Sequence, residues 1–369
     1  MRVLFINSNR SPSYGGVERW MMDAARGLGE RGHMCVLLGR PGSPWLAHAA
    51  RLGLGVRDDI RGTWAARVLR VGAAMRSERP DLVITKAKKA ARMAAWGRAM
   101  SGGSHVALFL GATHELDRAR WIDRFTWRHV AAGIVVAHGQ KRWYVSAGFG
   151  PSRKLYVLWK GVDLVRFDAA RSKATAVRTA LGLGPHEVAI GTIGRLAWQK
   201  GIGDLLDAVP LVRARCPSAR FFIVGGGRDA EAVAKAVAGL DGSVTLLGQR
   251  DDVPELLAAL DIVVLSSRRE AMAQTTLEGM AVGRPVISTT TIGADEAIED
   301  GVSGLLVPVA DPRALAEAIV GLAADPARRA ALGAAARRRI GEHFTAADTL
   351  DRSEAVFRAI VDAARPAAG

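Results

Sequence analysis

The chain has 369 residues, 49 % of them apolar, two cysteines and a net charge of +15. That length suits two domains better than one. Cys35 and Cys216 are too few and too far apart for a disulfide framework or a zinc site, which points to a reducing compartment. No apolar run approaches the roughly 20 residues of a membrane span, and the opening MRVLFINSNR turns polar too soon for a secretory signal. The expected location is therefore the cytoplasm.

In chain order, RVLFIN (2–7) reads as a first β-strand, closed by Asn7 and Ser8. A glycine turn follows, then helical spacing of Val17, Trp20, Met21, Ala24 and Leu28. Further strands are expected at 35–39, 81–85, 106–111 and 133–137. A mixed stretch of charges, glycine and proline near 160–187 reads as a linker. The series then restarts at 188–194, 220–227, 243–248, 261–267, 284–289 and 304–309, with helices between, such as 203–214 and 229–239. Alternating β and α units imply parallel sheets covered on both faces. The expectation is an α/β protein of two doubly wound, Rossmann-like domains, 1–170 and 171–345, followed by a terminal helical segment, 346–369.

In such sheets ligands sit outside the carboxyl ends of the strands, so the loops there are the places to search. EAMAQTTLEGM (270–280) follows one strand and opens a helix. Gln274 to Thr276 would form its first turn, whose free N–H groups and dipole favour an anion. The hydroxyls of Thr275 and Thr276 would add donors. Glu270 and Glu278 flank that cradle, and carboxylates accept strong hydrogen bonds from sugar hydroxyls. A nucleotide sugar has the matching layout of sugar, diphosphate and ribose. Taken alone, two solvated glutamates at a helix start explain the pattern equally well. GRLAWQKG (194–201) puts Arg195 and Lys200 on another strand-end loop, two cations suited to a diphosphate leaving group. In SPSYGGVERW (11–20), Gly15 and Gly16 permit close backbone approach to a phosphate. GATHELDR (111–118) sets His114 just past a strand. These four loops are expected to face one cleft.

With these motifs, and with DDVPELLAALDIVVLSS and AVGRPVISTTTIGADEAIEDGVSGLLVP, the chain resembles the retaining glycosyltransferases of family 4, which have the GT-B architecture. The resemblance runs over nearly the whole chain and is densest from 190 to 310. It implies that Glu270 contacts the donor sugar and Glu278 the nucleotide ribose. Arg195 and Lys200 would hold the diphosphate, with Gly16 and the amides of Thr276 and Leu277 also touching phosphate. His114 would sit beside the reaction centre, and the loop GQRDDV, from Gln249 to Val253, would frame the base. It further implies transfer with retention, a terminal helix that crosses back to the first domain, and a place in envelope polysaccharide or lipopolysaccharide assembly. Ala271 and Ala273 stand where the family usually has Gly and often Pro, and RRE (268–270) is more basic than usual, which puts the donor sugar in question. No Asp-x-Asp occurs, so no metal and no other cofactor is expected. The expected donor is a UDP-, GDP- or ADP-linked sugar.

The charge is lopsided. Residues 1–170 hold 28 basic and 12 acidic residues, the remainder 23 and 24. Such asymmetry suggests an anionic partner for the first half, either an anionic or lipid-linked glycan acceptor or an anionic membrane surface. Two basic stretches with aromatics, 85–100 and 118–130, fit peripheral attachment to the inner leaflet. They fit equally a helix packed on its own sheet with solvated arginines. No nucleic-acid motif accompanies the charge. A sugar-nucleotide epimerase shares the expected architecture and is the main rival. An NAD-dependent oxidoreductase is weaker: the G-x-G-x-x-G at Gly27, Gly29 and Gly32 closes a helix and precedes a strand, the reverse of the dinucleotide context.

Overall fold

The computed structural model describes residues 1–9, 15–101, 104–111, 126–240 and 242–364. The chain divides into two compact units, residues 1–159 with 349–369, and residues 160–348. Residues 160–170, placed with the first domain on sequence, belong to the second unit. The helix Leu164–Arg171 packs there on the helices Val253–Ala259 and Gln274–Ala281.

The first unit holds seven parallel strands: β1 (Arg2–Asn7), β2 (Met34–Leu38), β3 (Gly55–Arg57), β4 (Leu82–Lys86), β5 (His105–Leu110), β6 (Ala132–Val135) and β7 (Leu155–Val157). Their order is β3-β2-β1-β4-β5-β6-β7. The three-residue edge strands β3 and β7 escape sequence analysis because they are too short to show a period. The second unit holds β8 (Val188–Ile193), β9 (Ala219–Val224), β10 (Val244–Gly248), β11 (Ile262–Leu265), β12 (Val286–Thr289) and β13 (Leu305–Val307), in the order β10-β9-β8-β11-β12-β13. All pairings are parallel, so both faces need cover, and the strands read as continuous apolar runs. In β11 every residue is buried.

Helices supply that cover. In the second unit Leu205, Val209 and Val212 of the helix Ile202–Arg213, with Leu315, Ile319 and Leu322 of Pro312–Ala324, join Ile190, Phe221, Val264 and Ile287 in one core. In the first unit Leu4 and Ile6 face one side of the sheet, and Phe5, between them, faces the other. There Trp20 stacks on Phe109 at 4.1 Å and meets Phe357 edge-on at 6.4 Å. Phe357 belongs to the last helix, Ala346–Ala363, which is opened by a Thr-x-x-Asp box: the Thr345 hydroxyl donates to Asp348 at 2.8 Å and accepts from the Asp348 amide at 3.0 Å. From Thr349 onward this helix packs in the first unit. A Cβ on Gly27 would lie 2.5 Å from Leu350 Cδ2. Gly27 is thus a helix-packing residue and Gly32, at φ +82°, ends that helical segment. The G-x-G-x-x-G has no part in a phosphate loop.

Among the described residues no helix is long and apolar enough to cross a membrane.

Candidate functional site

Each sheet reverses its winding once, between β1 and β4 in the first unit and between β8 and β11 in the second. Ligands favour the carboxyl ends of the strands at such switch points. Both switch points carry charged clusters.

In the second unit the loop after β8 carries Arg195 and Lys200, and the loop after β11 carries Glu270. Their register, Ile190 beside Ile262, brings the two loops side by side. Lys200 and Glu270 form an ion pair, with side chains 21 % and 18 % exposed. The loops are clamped from several directions. The amides of Arg268 and Arg269 both donate to Gln199 O, at 2.9 and 3.2 Å. Ser266 Oγ donates to Lys200 O at 3.2 Å. The Arg268 guanidinium grips buried Asp204 through two hydrogen bonds, of 2.8 and 2.5 Å. Gly201, at φ +59°, is required because a Cβ there would fall 1.9 Å from Ser266 O. Arg268 is therefore a brace for the loop and not a ligand-facing cation. Arg195 is exposed at the mouth of the same loop.

The helix Gln274–Ala281 starts just after Glu270, with Ala273 as its N-cap and no side-chain cap. Gln274 and Thr275, its first two residues, have amides without intrahelical acceptors. The two threonines, expected as ligand donors, already have partners within the protein. The Thr276 amide, read as a phosphate donor, is turned to Ala273 O at 3.1 Å. The Thr276 side chain is buried. The Thr275 hydroxyl donates to Ile193 O at 3.1 Å, which fixes the helix start to the end of β8 instead of pointing at a ligand. Leu277 is fully buried and can offer only its backbone. Glu278, half-buried, lies one turn in. Gln249 is exposed directly after β10, and Val253 begins the next helix.

Sequence analysis missed Lys160. Its side chain is 6 % exposed, and it interacts electrostatically with Glu270, Lys200 and Glu278. Burial lowers its pKa, and the two glutamates only partly offset that. Its neighbour Gly161 accepts a hydrogen bond from Gln274 Nε2 at 3.2 Å, so the segment is tied to the helix start. The one available signal was a lysine within an otherwise apolar run, VLWKGV.

In the first unit Glu18 is buried at the end of β1. It pairs with Lys86 at the end of β4, accepts from Asn7 Nδ2 at 3.0 Å and accepts from the Gly15 amide at 3.2 Å. Gly15 therefore spends on Glu18 the N–H that was expected to meet phosphate, because a buried carboxylate needs donors. Gly16, first in its helix, keeps an amide without an intrahelical acceptor. Lys86, counted among the membrane-facing cations, is committed to Glu18, and Met93 is fully buried. Trp96 of that stretch is 53 % exposed. His114 and most of the basic stretch 118–130, including Arg120 and Arg124, lie outside the described residues. Beside this cluster a cavity of about 410 Å³ is lined by Ser8, Asn9, Arg40, Arg67 and Lys89. Among the described residues its lining has three cations and no carboxylate. A neighbouring cavity of about 480 Å³ shares Arg40 but also holds Asp58 and Asp59, which makes it a poorer anion site.

Comparison with known proteins gives the family of the chain. Residues 14–166 match the family described as Glycosyltransferase Family 4, and residues 187–325 match Glycosyl transferases group 1. The chain belongs to the family 4 glycosyltransferases, with the GT-B fold. It is 34 % identical over 254 residues to a GDP-mannose-dependent monoacylated alpha-(1-6)-phosphatidylinositol monomannoside mannosyltransferase of Corynebacterium glutamicum, covering 66 % of this chain and 62 % of that protein. It is 26 % identical to the lipopolysaccharide core biosynthesis glycosyltransferase LpsE of Rhizobium meliloti, over 86 % of this chain and 88 % of that one. The fold matches the crystal structure of Anabaena HepE in complex with UDP and glucose with a TM-score of 0.85 at 21 % identity, covering 97 % of this chain and 99 % of that one. The chain thus spans just over three fifths of the C. glutamicum mannosyltransferase.

Proposed function

We propose that this protein is a retaining glycosyltransferase that moves a hexose from a nucleoside-diphosphate sugar to a hydroxyl of an anionic glycan or glycolipid. The observation that carries the reading is the Lys200–Glu270 pair beside an uncapped helix start, on a chain of this family. The diphosphate lies at the amides of Gln274 and Thr275 with Lys200 and Arg195 as counter-charges. Glu270 accepts hydrogen bonds from the donor sugar and Glu278 from the ribose. Gln249 to Val253 frame the base.

In the reaction the bond from the anomeric carbon to the phosphate oxygen breaks, and a bond to the acceptor oxygen forms on the same face of the sugar. The acceptor's proton passes to the departing phosphate oxygen. Lys200 and Arg195 stabilise the charge that grows there, so the reaction needs no metal. The basic cavity at Arg40, Arg67 and Lys89 suits the anionic part of the acceptor. The protein works at the inner face of the cytoplasmic membrane in envelope glycan assembly. Support for that setting comes from the relatives' printed activities on phosphatidylinositol mannoside and lipopolysaccharide core.

The test is thermal shift with UDP, GDP, ADP and their common sugar conjugates in EDTA, for wild type and Glu278→Ala. One base should raise the wild-type melting temperature, and the variant should lose most of that rise. No rise with any nucleotide would overturn the reading. A rise that appears only after Mg²⁺ replaces EDTA would overturn its metal independence.

A further inference from the structure

The described cations of the donor site do not balance its ligand as first read. A diphosphate brings two or more negative charges, yet Lys200 is already paired with Glu270, and Arg195 stands exposed in high-dielectric surroundings where its pull is weak. Lys160 alters that balance. Among the described residues its ammonium has no hydrogen-bond or ion-pair partner, although the side chain is 6 % exposed. A charge on so deeply set a side chain is costly without a partner. Burial is the largest influence on it, ahead of the attraction of Glu270 and Glu278. The fold nevertheless holds it rigidly. Gly161 O accepts from Gln274, and Val162 exchanges backbone bonds with Phe344 and Ala346, both 2.9 Å.

We infer that Lys160 is a third cation of the diphosphate subsite, held beside the start of the helix Gln274–Ala281 so that it contacts the leaving phosphate. This rests on the glycosyltransferase reading above. Lys160 feels both Glu270 and Glu278, the two residues that bracket the helix start, and it feels Lys200. An anion at that helix start is thus within its field, and its low-dielectric surroundings make the attraction stronger than at Arg195. The bound phosphate adds to the partial counter-charge that Glu270 and Glu278 supply. The cost of burying the lysine is repaid only when ligand is present, the pattern of a functional residue that opposes stability.

The experiment is titration calorimetry of wild type, Lys160→Met and Lys160→Arg with a nucleoside diphosphate and with the matching nucleoside, alongside thermal melting of each free protein. Lys160→Met should weaken nucleoside diphosphate binding by about tenfold or more and leave nucleoside binding within about twofold. Its melting temperature should hold or rise. Lys160→Arg should recover part of the lost affinity. Equal diphosphate affinity in wild type and Lys160→Met would overturn the inference. So would parallel loss of nucleoside binding and of melting temperature, which marks a structural lysine. A wild type that binds no nucleoside diphosphate at all would instead overturn the functional reading on which the inference stands.

Discussion

The two switch points of this protein hold similar groups in opposite conditions. At the end of β1, Glu18 meets Lys86, Asn7 and the Gly15 amide, and the carboxylate is fully satisfied. At the end of β8, Lys200 and Glu270 pair in a half-open position, Arg195 faces solvent, and Lys160, largely buried, has no hydrogen-bond or ion-pair partner among the described residues. The first cluster consumes its hydrogen-bonding capacity internally, so it serves the fold. The second leaves Arg195 and the first helix amides available, as the proposed donor site requires. A charged pair at a strand end is therefore not by itself a functional site. What separates the two is whether donors remain unspent.

That contrast can be broken by mutation. Lys200→Ala should lower sugar transfer by about 10²–10³-fold, roughly 2.7–4 kcal/mol of barrier. Its urea midpoint should move little, because its pair is partly solvated. A fall under tenfold would place Lys200 with the structural pairs. Glu18→Ala should do the reverse. Breaking a largely buried pair costs about 3 kcal/mol of stability, read by urea unfolding, while nucleoside diphosphate affinity stays the same in the folded protein. A large affinity change with intact stability would mean that the first switch point also binds the donor.

A third, surface cluster sharpens the comparison at the small end. Glu354 on the last helix is bonded by Arg358, Arg31 and His33, which hold its carboxyl down to about 2. A depressed carboxyl contributes stability above its ordinary pKa, and that contribution is lost as pH falls through the folded value. Glu354→Gln should therefore cost roughly 1 kcal/mol at pH 7. The gap between variant and wild type should close as pH falls from about 4.5 towards 2. A gap that persists at pH 2 would show that the side chain acts through packing and not through charge.

Much of the architecture was legible in consecutive residues. β11 is readable in IVVL because a strand buried on both faces is apolar throughout. The strand-end loops with Glu270 and Lys200, and the helix that carries Glu278, follow from the alternation of such runs with helices. The edge strands β3 and β7 were not legible, since three residues carry no period. The partners of the threonines were not legible for a different reason. A hydroxyl at a helix start can serve a ligand or a neighbouring carbonyl, and only the position of Ile193 O decides between them.

By itself the sequence determined the two parallel-sheet units, the uncapped helix after Glu270 and the basic bias of the first half. All of these follow from local periodicity, backbone hydrogen-bonding needs and composition. Tertiary structure alone decided that Lys86 neutralises Glu18, 68 positions away, that Gly27 makes room for Leu350, and that the Lys160 segment closes on the start of a helix 113 positions further on. Strand order and register set these meetings. Whether a charge ends up satisfied or waiting for a ligand depends on what those distant partners leave unspent.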